Sequence, residues 1–471
     1  MSKEHTLIRR VHLAHADANL AKQLWDVQCL NGRVHNIAPA DTETKHVEVP
    51  DHCSVVAGDE GVLLPSLCHA HIHLDKCFIL EQCDPLLTGS LPEALRVTNK
   101  AKAGFPERQP DLYARATRLI RESVEAGVTV MRAYVEIDTA VHMVCLDIGL
   151  KLKSEWKGVC DIQIVAFAQE ALYPSLEAQS PGENFNLLKS ALTKPGIGVV
   201  GSAPWVEPSR EHAHKNIAHI LALAQAYNLH ADFHLDYNLD ANAEPMVWEA
   251  LRQMRLIGWT RASAGKRRVT IGHATRLGMF SSDEWARLRK ELEELPLEIV
   301  ALPQSDIYMM GRPSTDGTLT VPLARRTLDA ARIWRDHGVR VAMSVNNVEN
   351  AFTPQGYLDP LTLASLGVGL FQVGTEPEWR ELLRSVSTTS KETIGMGGGD
   401  ADLTKSKDNG LVPRVGDPAD FVLVHEAKRW QSAVLSPGFD RTTVFSGRVV
   451  ARRRASRWTA VDEAETVAHR D

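Results

Sequence analysis

The stretch Cys68-His69-Ala70-His71-Ile72-His73-Leu74-Asp75 follows closely on the apolar run Gly61-Val62-Leu63-Leu64-Pro65, and its reading decides the rest of the chain. Side chains two residues apart on a β-strand share a face, so His71 and His73 can grip one ion together. His69 continues the alternation, but near a strand's end only two such positions converge on one metal, and the later pair is the candidate. Three separately satisfied imidazoles is the plainer description, and an isolated His-x-His would favour it. The downstream sequence turns the balance toward a metal.

Beyond residue 60, short β-rich segments alternate with longer amphipathic ones, the pattern of repeated β-α units. The expected strands are Val62–His73, Val128–Val135, Ile162–Ala168, Gly196–Ala203, His230–Asp236, Val269–Ala274, Leu297–Pro303 and Arg340–Asn346. Eight such strands predict an α/β fold, a closed (β/α)8 TIM-like barrel. Ser281-Ser282-Asp283-Glu284 reads as a capping box opening a helix over Glu284–Leu295. The next helix, Pro322–His337, should stop at Gly338, and Leu80–Pro110 reads as a lid or loop over the barrel mouth.

Both ends of the chain differ from this middle. Residues 6–57 hold short alternating segments with Asn31-Gly32 as a hairpin signal, while Asp420–His425 and Val444–Val450 read as strands. The expected organisation is a small β-sandwich built from residues 1–59 and 394–458, enclosing a catalytic barrel over 60–393, with a polar tail at 459–471. The Gly395–Gly399 cluster reads as a flexible connection, because no helix opens after it to cradle a phosphate.

Lys and Arg number 53 against 59 Asp and Glu, a net charge of −6 with no long single-sign run, which argues against a polyanionic partner such as nucleic acid. Seven cysteines, all before Asp161 and without a Cys-x-x-Cys pair, suit reduced thiols in a cytoplasmic protein. No stretch reaches the ~18 apolar residues of a membrane span, so no membrane partner is expected.

In a barrel of this kind, residues at the C-terminal strand ends face one pocket. His71 and His73 close the first strand, His234 lies near the end of the fifth and His273 at the end of the sixth. Joint placement makes a metal site the better description of these four imidazoles. At this point the chain resembles the amidohydrolase superfamily, and within it the cytosine deaminase branch. The matching pieces are His71-Ile72-His73-Leu74-Asp75, Ile162–Glu170, His234-Leu235-Asp236, Gly272-His273-Ala274-Thr275 and the closing Gly416-Asp417-Pro418-Ala419-Asp420.

The resemblance implies that His71, His73 and His234 hold one divalent metal ion, zinc or iron, and that His273 orients or polarises the substrate. It also implies that Gln169 hydrogen-bonds a heterocyclic amide, and that the partner is a small cyclic molecule. Homo-oligomers are common among proteins of this kind, although no residue here points to one. The activity implied is hydrolysis of a C–N bond, other than a peptide bond, in a cyclic amide, amidine or N-heterocycle by metal-activated water.

Two positions depart from the family pattern. Strand eight carries Asn346 where an aspartate is usual, and Tyr237 stands where the pattern His-x-x-Glu ends. An asparagine offers a metal a carbonyl oxygen but is no base near neutral pH. Asp306, just past strand seven, is the candidate for a relocated carboxylate. Tyr237 can fill the pocket or donate a proton, and Asn346 and Asn347 can hydrogen-bond a polar ring. Lys76 at the mouth can pair with an acidic substrate or with a nearby carboxylate. A non-hydrolytic cyclase or lyase on the same scaffold, and a catalytically silent binding protein, are the alternative readings of the two departures.

Overall fold

Eight parallel strands form the central layer of the computed structural model, which describes residues 5–40, 53–312, 321–397 and 410–459. In chain order they are Leu67–His73, Val128–Glu136, Asp161–Ala168, Ile197–Ser202, His230–Leu235, Val269–His273, Leu297–Ala301 and Val341–Met343. Each hydrogen-bonds to its sequence neighbour, as right-handed β-α crossovers require. Closure comes from the first and last: His73 N donates to Asn346 O at 2.9 Å, and Asn346 N to His71 O at 3.1 Å. The ring is an α/β barrel with helices outside it.

The first expected strand is in fact two. Val62–Pro65 pairs antiparallel with Phe421–Val424 in the terminal sheet, and only Leu67–His73 enters the barrel. Ser66, whose N–H reaches Asp420 O, is the joint between them. Burial on both sides of the joint concealed the change of sheet. Several strand ends also moved inward. Pro303 opens a short helix, Pro303–Met309, instead of ending a strand. The eighth strand stops at Met343, although its next residues continue along the first strand to the mouth.

The helix expected to start at Ser281 is there, over Ser282–Glu294, with its capping box formed by Ser281 and Glu284. Pro322–His337 is broken into a 3-10 turn at Leu323–Arg325 and a helix at Ala330–His337, capped by Asp329 and ended by left-handed Gly338. The segment expected as lid or loop contains a helix, Leu91–Lys102.

The terminal strands make a sharply bent sheet. His5–Leu13 pairs first with Trp25–Leu30 and then, past an irregularity at Arg9-Arg10, with Val62–Pro65. That switch folds the sheet over a core of Ile8, Val27, Leu63, Phe421 and Val444, among others, so both ends of the chain build one sandwich. The Asn31-Gly32 turn joins Trp25–Leu30 to Arg33–Pro39, both residues having positive φ. Val444–Val450 crosses a turn at Ser446-Gly447 that separates Arg441–Phe445 from Arg448–Arg453. Residues 398–409, with most of the glycine cluster's linker, and the tail from 460 lie outside the described residues.

Candidate active site

Register breaks decide which histidines look inward. The ladder between the first and second strands shifts between His69 and Ile72, and a shift of one residue turns every later side chain to the other face. Cys68 before it and Ala70 at its start pack in the barrel interior with Val300 and Ala342. His69 points outward, where its Nε2 meets Ser123 Oγ of helix Gln109–Glu125 at 3.2 Å. After it, His71 and His73 are inside. His69 is thus packed against the helical layer, apart from the other two.

His71, His73 and His234 are fully buried, and each offers a ring nitrogen within 4.8 Å of the others. Both ring nitrogens of His71, Nδ1 of His73 and Nε2 of His234 have no hydrogen-bond partner. Four unpaired nitrogens in one buried spot cost free energy unless a ligand takes them up. Burial first, then the positive charge of neighbouring histidines and Lys76, holds all three imidazoles well below the ordinary histidine range. They are neutral at physiological pH, the form that binds metal. The residues present therefore fit a divalent cation.

Space for His71 is provided by Gly272. A Cβ at that position would lie 2.7 Å from the His71 ring. The next residue, His273, has φ +67°, and left-handed backbone recurs at Asp236 and Asn346. Non-glycine residues in that region cost about 1–3 kcal/mol each and gather where function fixes the backbone.

The His273 ring lies 5.2 Å from that of His234, and its Nδ1 is 2.8 Å from Asp306 Oδ1. A carboxylate only accepts, so Nδ1 donates, and in the neutral ring it is Nε2 that has the lone pair. Asp306 is completely buried, and its second oxygen accepts from Thr327 Oγ1 at 2.8 Å and Leu302 N at 3.3 Å. It is absent from the residues lining the cavity at the barrel mouth. Burial pushes its carboxyl above the usual range, with the bonds to His273 and Thr327 opposing.

That cavity is lined by His73, Lys76, Gln169, Trp205, His234, Tyr237, His273, Asn346, Asn347 and Phe352, with Leu91 and Leu95 from the helix above. Tyr237 packs its ring on His273, centroids 3.9 Å apart. Asn346 Nδ2 donates to Ser305 Oγ at 2.9 Å, leaving its buried Oδ1 without a partner. Lys76 Nζ is 2.6 Å from Glu136 Oε1 and donates to Gln169 Oε1 at 3.3 Å. Glu136 is shared with Lys102, the last residue of the covering helix, at 2.7 Å.

The nine residues singled out in the sequence thus fall in one region, eight around the cavity or the histidine cluster and Asp306 directly behind His273. Trp205, Phe352 and the Glu136–Lys102 pair were not foreseen. Glu136 ends the second strand and Trp205 lies in the turn Pro204–Val206 just after the fourth, so position alone was the available signal.

No protein-family model matches the sequence. Among curated proteins, the chain is 24% identical over 431 residues to a pterin deaminase of Rhizobium rhizogenes, covering 91% of this chain and 88% of that one. It is 21% identical to an N-isopropylammelide isopropyl amidohydrolase of a Pseudomonas strain, over 96% of this chain and 98% of that one. Among solved structures it superposes on a 5-methylcytosine deaminase from Klebsiella pneumoniae with a TM-score of 0.77 at 20% identity, covering 97% of this chain and 100% of that one. Its relatives and structural neighbours are amidohydrolase-family deaminases and hydrolases, and the chain has the barrel-and-sandwich fold that they share.

Proposed function

We propose that the chain is a metal-dependent hydrolase that cleaves a C–N bond, not a peptide bond, in a small cyclic amide, amidine or N-heterocycle. The observation that carries this reading is the cluster of unpartnered, buried, neutral imidazoles of His71, His73 and His234 at the open end of the barrel. These three residues would hold one zinc or iron ion, and the unpaired Oδ1 of Asn346 beside His71 is a suitable further oxygen donor. Such an ion, when bound, lowers the pKa of water toward ~7 and so supplies a nucleophile at neutral pH.

Moving the proton falls to His273. Its Nε2 is the acceptor on the metal side of the cavity, while Asp306 fixes the tautomer and stabilises the imidazolium that forms, acting as a positioning residue. The proton taken from water at Nε2 goes next to the departing nitrogen. Asn346 cannot do this, having no titratable group, and Tyr237 is held high by burial, so its phenol stays protonated. Tyr237 instead packs the His273 ring in place. Gln169 and Asn347 bind the substrate ring. A reducing, cytoplasmic location agrees with seven free cysteines, and among the described residues no helix is long and apolar enough to cross a membrane.

The test is hydrolysis of amino-substituted oxo-heterocycles by zinc- or iron-loaded protein in 18O-labelled water. Label in the product and loss of turnover on chelation are expected. Turnover without label, or undiminished after complete metal removal, would overturn the proposal.

A further inference from the structure

The hydrogen-bonding polarity of the cavity is divided between its two sides. Acceptors lie on the metal side: His273 Nε2, whose tautomer is set by Asp306, and Asn346 Oδ1, whose amide is set by Ser305. On the far side the orientation of each amide is forced. An ammonium only donates, so Gln169 turns Oε1 to Lys76 and keeps Nε2–H for the cavity. Asn350 accepts from the backbone N–H groups of Phe352 and Thr353 through Oδ1, so its Nδ2 must donate. One of its acceptors is Asn347 Oδ1 at 2.8 Å, which leaves Asn347 presenting Nδ2–H.

Two further donors complete this side. Trp205 has a buried indole Nε1–H with no acceptor. Lys76 donates one N–H to Gln169 and is ion-paired with Glu136 at 2.6 Å, and the rest of its ammonium lines the cavity. Among the described residues lining the cavity there is no carboxylate; behind it, Glu136 is engaged by both Lys76 and Lys102, and Asp306 by His273. The edge formed by Lys76, Gln169, Asn347 and Trp205 therefore offers N–H groups from four side chains, with a cation at its centre, and the hydroxyl of Tyr237 belongs to the ring packed on His273.

From this juxtaposition we propose, building on the hydrolase reading, that the substrate is an acidic oxo-heterocycle bound as its anion. The edge of that anion facing Lys76, Gln169, Asn347 and Trp205 carries only acceptors, as in a deprotonated cyclic imide, O–C–N–C–O. A neutral cyclic imide places an N–H between its two carbonyls, and here that N–H would meet only donors. A buried donor facing a donor loses both hydrogen bonds, which sites built on hydrogen bonds punish severely. The scissile C–N bond then lies opposite, toward His273 and Asn346.

The test is calorimetric binding to zinc-loaded protein at about pH 8 of two product-like probes. One is 1-methyl-5-nitrouracil, whose only ionisable N–H is the imide one and which is largely anionic there, and the other is 1-methylthymine, which keeps its imide N–H. The proposal expects 1-methyl-5-nitrouracil to bind at least about tenfold tighter. It expects Lys76→Met to abolish that preference, and Gln169→Glu, which puts acceptors where a donor stood, to reduce it, with circular dichroism confirming both variants folded. Equal or tighter binding of 1-methylthymine, binding of neither probe, or a preference that survives both substitutions would overturn it, the last because the metal alone would then be selecting the anion. Because the readout is binding, a preference for the anion without any C–N hydrolysis would defeat the hydrolase reading and leave this assignment standing.

Discussion

The barrel mouth and the seam where the terminal sheet meets the barrel both bury strongly polar groups, and they treat them in opposite ways. At the seam, Arg441 is wholly inaccessible and spends its guanidinium on Asp359 at 2.9 Å, on Ala126 O at 3.0 Å and on Gly438 O at 2.8 Å. Thr443 Oγ1 beside it donates to Val124 O. At the mouth, the imidazoles of His71, His73 and His234, the Asn346 carbonyl and the Trp205 N–H go without partners. A paired buried charge is architecture; an unpaired buried cluster at a strand end is a request for a ligand.

That contrast predicts opposite consequences for substitution. At the mouth, His273→Gln should lower turnover by roughly 10²–10⁴ through loss of the proton carrier, with the thermal midpoint little changed. A comparable fall in stability would mean that the ring is structural. At the seam, Arg441→Met should do the reverse. It takes from the buried Asp359 carboxylate its Arg441 partner, leaving Arg453 at 3.1 Å and the Leu361 N–H, and it strands the Ala126 carbonyl, which together cost about 1–3 kcal/mol, and urea unfolding should register this while turnover per folded molecule holds.

A smaller effect sits at the closed end of the barrel. His230 accepts from Arg268 N through Nδ1, and burial, followed by the positive charges of Arg132, Arg268 and Arg267, brings its pKa down from 6.5 to about 3. The unfolded chain takes up this proton first. Stability from the neutral ring is therefore complete above pH 6.5 and is lost as pH falls toward about 3, by at most a few kcal/mol. His230→Asn should flatten the acid limb of a stability profile, and an unaltered slope would acquit the residue. Smallest of all, Ser281→Ala removes a helix cap at the surface and should cost about 1 kcal/mol with no change in turnover.

The same division explains what could be read from the residues. Strand–helix alternation disclosed the barrel because each segment buries one face, and the four strand-end histidines disclosed the mouth because barrel geometry brings strand ends together. Ser66 was invisible as a joint, since Val62–Pro65 and Leu67–His73 are both buried β segments with one residue between them while belonging to different sheets. Period-two counting puts His69 on the face of His71 and His73, and the irregularity between His69 and Ile72 separates them.

Asp306 was legible as a carboxylate near the mouth, but its direction was not. Whether it faces the cavity or His273 depends on Thr327 and on the turn of Pro303–Met309. The donor-only edge was least legible of all. The amide of Gln169 is set by Lys76, 93 residues away, and that of Asn347 by a side chain that first caps two backbone N–H groups.

The account stands on His71, His73 and His234 acting as one coordination site, and metal analysis of the purified protein addresses this most directly. The unaltered chain should carry about one zinc or iron per molecule, and His73→Ala and His234→Ala should each lose it while remaining folded. A chain without metal after growth and dialysis in zinc and iron, or full occupancy in both variants, would contradict the central claim.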